Sequence, residues 1–411
     1  MATIKPFRGL RFTEKAGALN ALICPPYDII SEQQRLGFLK ENPHNIIRLE
    51  LPKDGENVYK TANETLQNWI NSGILTLDES PAVYILEVRF NHNGADLSFK
   101  SIISKVKVED FERKIILPHE QTLSKDKGDR WELLSACKTN FSQIQSLYID
   151  ENCATSQKIE ELTARKADIS AEFEGATHSL WVISDQSDVN ALCGDFDERK
   201  LYIADGHHRY ETALAHSKAN PEHDYVMMAL IDINSPGLVV LPTHRVVKNV
   251  EDFCTKNLLE KVADNFEVEK MACQKSAAAK LKAMGNANEK SFTLYADDDF
   301  YNLTLRDDCA KKLGNGPLSN LDVTALHSLI LEGALGISKE NLANQTNLIY
   351  TRCEDEAIEM GKNGANCAII MNAPTVSQIR DICENQLKMP QKSTYFYPKL
   401  VTGLVMATLE N

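Results

Sequence analysis

The 411-residue sequence predicts an α+β protein of two domains and a short closing segment, with boundaries at residues 1–249, 250–388 and 389–411. Three observations lead there. The chain is too long for one small core, so two domains are the natural division. Apolar runs of strand length are interleaved with segments of helical periodicity, which gives residues 1–249 a mixed α/β character. After about Asn249 the texture settles into a regular alternation of helix and strand, until the hydroxyl- and cation-rich stretch 389–399 breaks it.

The elements follow in order. Cys24-Pro25-Pro26-Tyr27-Asp28 is an extended turn, because proline fixes its own φ and disfavours helix in the residue before it. Ser31 is the expected N-cap of a helix carrying Leu36, Phe38 and Leu39. A second helix, 58–71, places Tyr59, Ala62, Leu66, Trp69 and Ile70 near one face. Strands 82–90 and 97–108 are joined through Asn93-Gly94, a pair that tolerates positive φ and marks a hairpin. A polar loop, 117–128, leads into a helix expected to begin near Asp129. Strands at 178–183 and 201–204 precede a helix over 207–218, and strands at 225–231 and 238–241 follow. In the second domain, helices near 253–265, 276–283, 323–333 and 376–386 alternate with strands at 291–295, 301–305, 347–350 and 368–371.

Composition narrows the function. The chain is 43% hydrophobic and 25% charged, within the ordinary globular range. Its opening residues lack the apolar core of a signal peptide, and no stretch approaches the roughly 18 apolar residues of a membrane helix. A cytoplasmic, non-membrane protein is expected. Its ten cysteines are scattered singly, without a CxxC pair, and are expected to be reduced thiols. A net charge of −13 without a basic tract speaks against nucleic acid as a partner, but leaves room for a small anion in a local basic pocket.

The chemistry centres on residues 201–214. Leu201-Tyr202-Ile203-Ala204 reads as a buried strand, Asp205-Gly206 as a turn, and Tyr210, Ala213 and Leu214 show the spacing of one helix face. A helix N-terminus carries unpaired N–H groups and partial positive charge, so acids usually stand there. Here His207, His208 and Arg209 occupy it, at a cost of up to about 1 kcal/mol for a charged group. An anion held by amides near Gly206 and by the Arg209 fork relieves that conflict. Asp205 then balances charge or holds magnesium. In the plainer alternative, Asp205 is a turn residue paired with Arg209.

Other clusters add to this. In Pro118-His119-Glu120-Gln121-Thr122, histidine beside a carboxylate suits acid–base work; alternatively it is a solvated loop before a helix capped by Asp129. His244 and Arg245 form a basic pair at a strand end, where α/β proteins often bind ligands. Lys392, Ser393, Thr394, Tyr395 and Lys399 offer further phosphate donors. So many basic and hydroxyl groups in an acidic protein suggest one convergent pocket. The histidines at 119, 178, 207, 208 and 244 lack a recognised zinc spacing. Without GxxxxGK[ST], GxGxxG or GxSxG, neither a P-loop nor NAD, flavin or iron–sulfur chemistry is expected.

The ordered motifs Lys5–Leu10, Pro25-Pro26-Tyr27-Asp28, 118–123, Ile203–Leu214, Gly237–Arg245 and Lys392–Lys399 resemble the bacterial and archaeal family known as the domain of unknown function 1015 family. More distantly, Asp205-Gly206-His207-His208-Arg209 resembles the phosphate-gripping segment of the ParB and sulfiredoxin superfamily, which includes CTP-binding ParB proteins and free-serine kinases. The resemblance implies a ParB/sulfiredoxin-like N-terminal domain with a large insertion before the phosphate motif. It also implies that Gly206, His207, His208 and Arg209 cradle a nucleotide phosphate beside the Tyr27-Asp28 loop. His208 stands where the kinases commonly have threonine, and the sulfiredoxin cysteine is absent.

The leading expectation is a nucleotide-dependent phosphotransferase acting on a small hydroxyl metabolite, with serine the first candidate. ATP or ADP with Mg2+ would be the cofactor, and Asp205 the metal ligand. Asp28 or Glu120 would orient or deprotonate the acceptor, with His119 and His208 as further catalytic groups. Asp205, Gly206, His207, His208, Arg209, His244, Arg245, Lys392, Ser393 and Thr394 would bind phosphate or nucleotide, the segment 389–411 returning to the site. A non-catalytic nucleotide-binding regulator and a phosphometabolite hydrolase are the alternatives, and a homo-oligomer is compatible with either.

Overall fold

The computed structural model describes residues 1–120, 124–344 and 346–410. Its contacts group the chain into two units. The first comprises Met1–Pro118, Thr122–Val239 and Pro398–Asn411; the second comprises His119–Gln121 and Val240–Tyr397.

The first unit is mixed α/β, built on one large mixed sheet. Among the described residues its nine strands include a path in the order Ile116–Pro118, Leu201–Asp205, Ile144–Tyr148, Tyr225–Asp232, Ala95–Lys107, Val83–His92, Ala176–Ile183 and Ile169–Phe173. Ile4–Lys5 pairs with Ala95–Lys107 off this path. Two pairings are parallel, Leu201–Asp205 with Ile116–Pro118 and Tyr225–Asp232 with Ile144–Tyr148; the rest are antiparallel. The expected hairpin forms with Asn93 and Gly94 at φ 52° and 81°, the left-handed pair the turn needs. One sheet face buries Ile85, Ile102, Val106, Ile144, Ile203 and Met228, against which Tyr210 of the helix His207–Ala219 packs. That packing fixes the entrance of the helix carrying the central motif.

A second cluster gathers Leu10, Cys24, Ile47, Leu49, Leu66, Trp69, Leu133 and Met406. It draws on Val58–Asn71, whose buried Ala62, Leu66 and Trp69 lie on the expected face. Ser31 caps Glu32–Glu41 in a full capping box with Gln34. The helix expected near Asp129 instead runs Ser124–Cys137, so Gly128 lies inside it and Asp129 is not its cap. A glycine within a helix costs only about 1 kcal/mol, which packing readily overrides.

The second unit has a six-stranded antiparallel sheet in the order Phe266–Met271, Asp299–Leu305, Ser291–Ala296, Cys367–Met371, His244–Val247 and Leu348–Thr351. The helix expected over 323–333 is instead Asp322–Ala325 followed by a π-helical stretch, Leu326–Ala334. Among the described residues, no helix is long and apolar enough to cross a membrane.

Candidate functional site

At the end of Leu201–Asp205 the pairing with Ile144–Tyr148 shifts register between Ile203 and Asp205, and such an irregularity re-aims the strand's last side chain. Gly206 then turns with φ 92° and serves as N-cap of His207–Ala219. Having no side chain, it leaves the first-turn amides without a side-chain cap. A Cβ here would lie 2.9 Å from the Arg209 guanidinium, so the glycine also makes room for that side chain to fold back.

Asp205 is the hub. Arg209 Nη2 donates to its Oδ2 at 2.8 Å, and Lys399 Nζ donates to Oδ1. The three side chains are only 15%, 11% and 9% exposed, so water screens the cluster weakly. Burial pushes the Asp205 acid upward, but Lys399 and Arg209 outweigh it and hold the carboxyl well below the usual carboxylate range. Arg209 also donates from Nη1 to the Gln143 carbonyl at 2.6 Å, while its buried Nε has no hydrogen-bond partner. The Gln143 side chain in turn donates to the Val401 carbonyl at 3.1 Å, tying down the segment that delivers Lys399.

A second charge centre adjoins this one. Glu50 is buried; its Oε1 accepts from Ser142 Oγ at 2.8 Å and lies 3.8 Å from Arg130 Nη1. Burial raises the Glu50 acid, against the pull of Arg130 and Arg209, and the charge of Asp28 adds to the rise. Arg130 is fixed by Asp129, by the Glu50 carbonyl and by the Tyr27 ring 4.0 Å beneath its guanidinium. Glu50, Arg130, Ser142, Arg209 and Thr212 line a cavity of about 50 Å³, room for a water or two. Asp28 is exposed on the 3-10 turn Tyr27–Ile29, His207 is buried and His208 is half-buried.

The other expected site residues fall in the second unit. His119 Nε2 pairs with Thr394 Oγ1 at 2.9 Å, and Glu120 accepts from the Lys392 amide at 3.2 Å. Gln121, Thr122 and Leu123 lie outside the described residues. Ser393 Oγ donates to the Pro390 carbonyl. Arg245 is fully buried and donates to backbone carbonyls: Thr243, Lys392 at 3.1 Å and Gln391 at 3.4 Å. His244 accepts from the Met371 amide at 3.3 Å, and burial pushes it down to about 4, so it is neutral. Among the described residues, no group of three His, Cys, Asp or Glu side chains forms a metal-ligand set.

Asp28, Asp205, Gly206, His207, His208 and Arg209 therefore belong to the first unit, and His119, Glu120, His244, Arg245, Lys392, Ser393 and Thr394 to the second. Sequence reading passes over Glu50 and gives Arg130, beside Asp129, no role of its own. The available signal for Glu50 was a single carboxylate among Ile46, Ile47, Leu49 and Leu51.

The profile of the family described as "Protein of unknown function (DUF1015)" matches residues 4–324. A conserved hypothetical protein from Pyrococcus furiosus is 13% identical, with a TM-score of 0.38, over 75% of this chain and 96% of its own. A free serine kinase in complex with AMP is 14% identical, with a TM-score of 0.37, over 74% and 92%. SbnI with a C-terminal truncation, from Staphylococcus aureus, is 10% identical, with a TM-score of 0.37, over 74% and 87%. No curated protein matches the chain.

Proposed function

Because the chain belongs to the DUF1015 family, whose description carries no reaction, its activity must be read from its own side chains, and we propose a nucleotide-dependent phosphotransferase acting on a small hydroxyl metabolite, with serine the first acceptor to try. The observation that carries this reading is the convergence of Lys399 and Arg209 on Asp205, at a helix N-terminus with no side-chain cap. A phosphate arriving there meets a helix end that its N-cap residue leaves without a side-chain cap, and two cations already held in place. Phosphoryl transfer demands little of a protein beyond positioning and charge stabilisation, and this arrangement supplies both.

Glu50 is the group we assign to the acceptor hydroxyl. Burial raises its acid from the ordinary carboxylate value, which makes it a better base, and it lines the same cavity as Arg209. Asp28 supports it electrostatically from the exposed turn. Asp205 does not fit a magnesium ligand, since both of its oxygens accept from cations. Its role in the proposal is to position Lys399 and Arg209, and no step is routed through a metal.

Calorimetric titration with ATP, ADP and CTP, with and without magnesium, tests the reading. A nucleotide should bind wild type and bind Arg209→Ala roughly 10- to 100-fold more weakly, as expected for a lost charge-assisted contact. Glu50→Gln should retain nucleotide binding while losing acceptor-dependent turnover. Absence of nucleotide binding by wild type would sink the proposal; binding without turnover of any hydroxyl acceptor would turn it into a regulator.

A further inference from the structure

A cavity of about 290 Å³ lies wholly within the second unit and shares no residue with the Asp205 centre. That volume sits at the lower edge of the small-metabolite range. Its wall includes Lys290, Asn320, Asp322, Asn372, Thr375 and Gln378. Most of these polar groups already have partners. Gln378 and Thr375 close a capping box on Val376–Glu384, with Gln378 also donating to the Asn320 carbonyl at 3.1 Å. That helix end is therefore spoken for and is no anion site.

Asn372 donates to the Leu281 carbonyl at 3.2 Å and packs where Gly285 has no side chain; a Cβ there would lie 2.6 Å from its amide nitrogen. A wall held this tightly is preformed. Three charged residues line the cavity: Glu289, which is exposed to solvent, and the half-buried Lys290 and Asp322, and the last two are different. Among the described residues, neither Asp322 nor Lys290 forms an ion pair or side-chain hydrogen bond, with each other or with a third group. Burial nevertheless pushes Asp322 up to about 7, against the pull of Lys290. Asp322 also begins the helix that passes directly into the π-helical stretch Leu326–Ala334, and such stretches are often retained at functional sites.

A lone cation in this cavity would satisfy Asp322 but be repelled by Lys290, and a lone anion would do the reverse. We infer that the cavity binds a small zwitterion, its ammonium on Asp322 and its carboxylate on Lys290. One molecule then satisfies both charges, and each contact gains from being partly desolvated. The inference does not rest on the phosphotransferase reading.

The test is calorimetric titration of the full chain with a panel of free α-amino acids, then with the N-acetyl and amide forms of the best binder. At least one zwitterion should bind, and removing either charge should weaken it tenfold or more. Asp322→Asn and Lys290→Met should each have the same effect, whereas Arg209→Ala should leave it within twofold. Should either variant fail to fold, the modified ligands still read both charges on wild type. No binding by any zwitterion, or equal binding of a form lacking one charge, would overturn the inference. Loss in Arg209→Ala but not in Asp322→Asn would overturn it too, assigning the zwitterion to the Asp205 centre.

Discussion

Two basic strand ends that look alike in sequence, Asp205–Arg209 and Thr243–Arg245, are built on opposite principles. In the first, buried cations are balanced by a carboxylate: Lys399 and Arg209 both lean on Asp205. In the second, Arg245 is buried with no carboxylate partner among the described residues, held by three carbonyls, the Met371 sulfur and the Tyr350 ring. An ion pair can exchange one partner for an incoming phosphate at modest cost, since charge replaces charge. A guanidinium spent on backbone carbonyls would have to release the chain it fastens. The first arrangement therefore suits chemistry, and the second fastens residues 391–392 in place.

Variants sharpen or break this contrast. The largest effect should come from Arg209→Ala, with its roughly 10- to 100-fold loss of nucleotide affinity; Arg245→Ala should leave that affinity within about threefold. An equal loss in a folded Arg245→Ala protein would erase the distinction. Arg245→Ala should instead lower unfolding free energy by about 2–4 kcal/mol, because buried carbonyls lose their donors, as urea titration would reveal. Arg245→Met should recover part of this, since an apolar side chain can replace a buried charge at little net cost.

Gly206→Ala comes next. It forces a left-handed conformation on alanine, worth about 1–2 kcal/mol, and pushes Arg209 aside. A melting temperature and nucleotide affinity both unchanged in this variant would show that the turn is not a constraint.

Mild acid should act differently on the two places. The folded pKa of His244 lies below its unfolded value, so its contribution is fully present above about pH 6.5 and is lost as pH falls toward 4. Asp205 is depressed from the ordinary carboxylate value, so its contribution survives until pH falls below about 4. Between pH 7 and pH 5 the loss at His244 should reach roughly 2 kcal/mol at most. His244→Asn, which keeps an acceptor for the Met371 amide, should show a flatter thermal stability over that interval than wild type. An unchanged slope would mean that His244 titrates normally.

The sequence made local features legible and distant ones not. The hairpin at Asn93-Gly94, the Ser31 cap and the strand–glycine–helix run through Gly206 all depend on neighbours in the chain. Ile144–Tyr148 escapes because all five residues are buried, which removes the alternation that betrays a strand. Phe266–Met271 escapes for the opposite reason: an exposed edge strand rich in charge reads as loop or helix. At the site, Arg209 could be found from its own turn. Lys399 could be recognised as a cation, but not as the partner of a carboxylate 194 positions earlier. Glu50 depends on Ser142 and Arg130, 92 and 80 positions away, and no periodicity encodes such meetings.

The 194-position gap between Asp205 and Lys399 has a further consequence for biosynthesis. A ribosome releases the strand and helix bearing Asp205 and Arg209 well before it makes Lys399, with the second unit's main segment translated in between. Domains generally fold in the order in which they emerge, yet here the earlier one lacks a counter-charge until synthesis has passed the later one. The same late stretch brings Thr402 to Cys24 and Met406 to Leu10. The nascent first unit thus stays electrostatically unfinished until late in translation, and its Asp205 cluster can be completed only after the second unit's main segment has been synthesised.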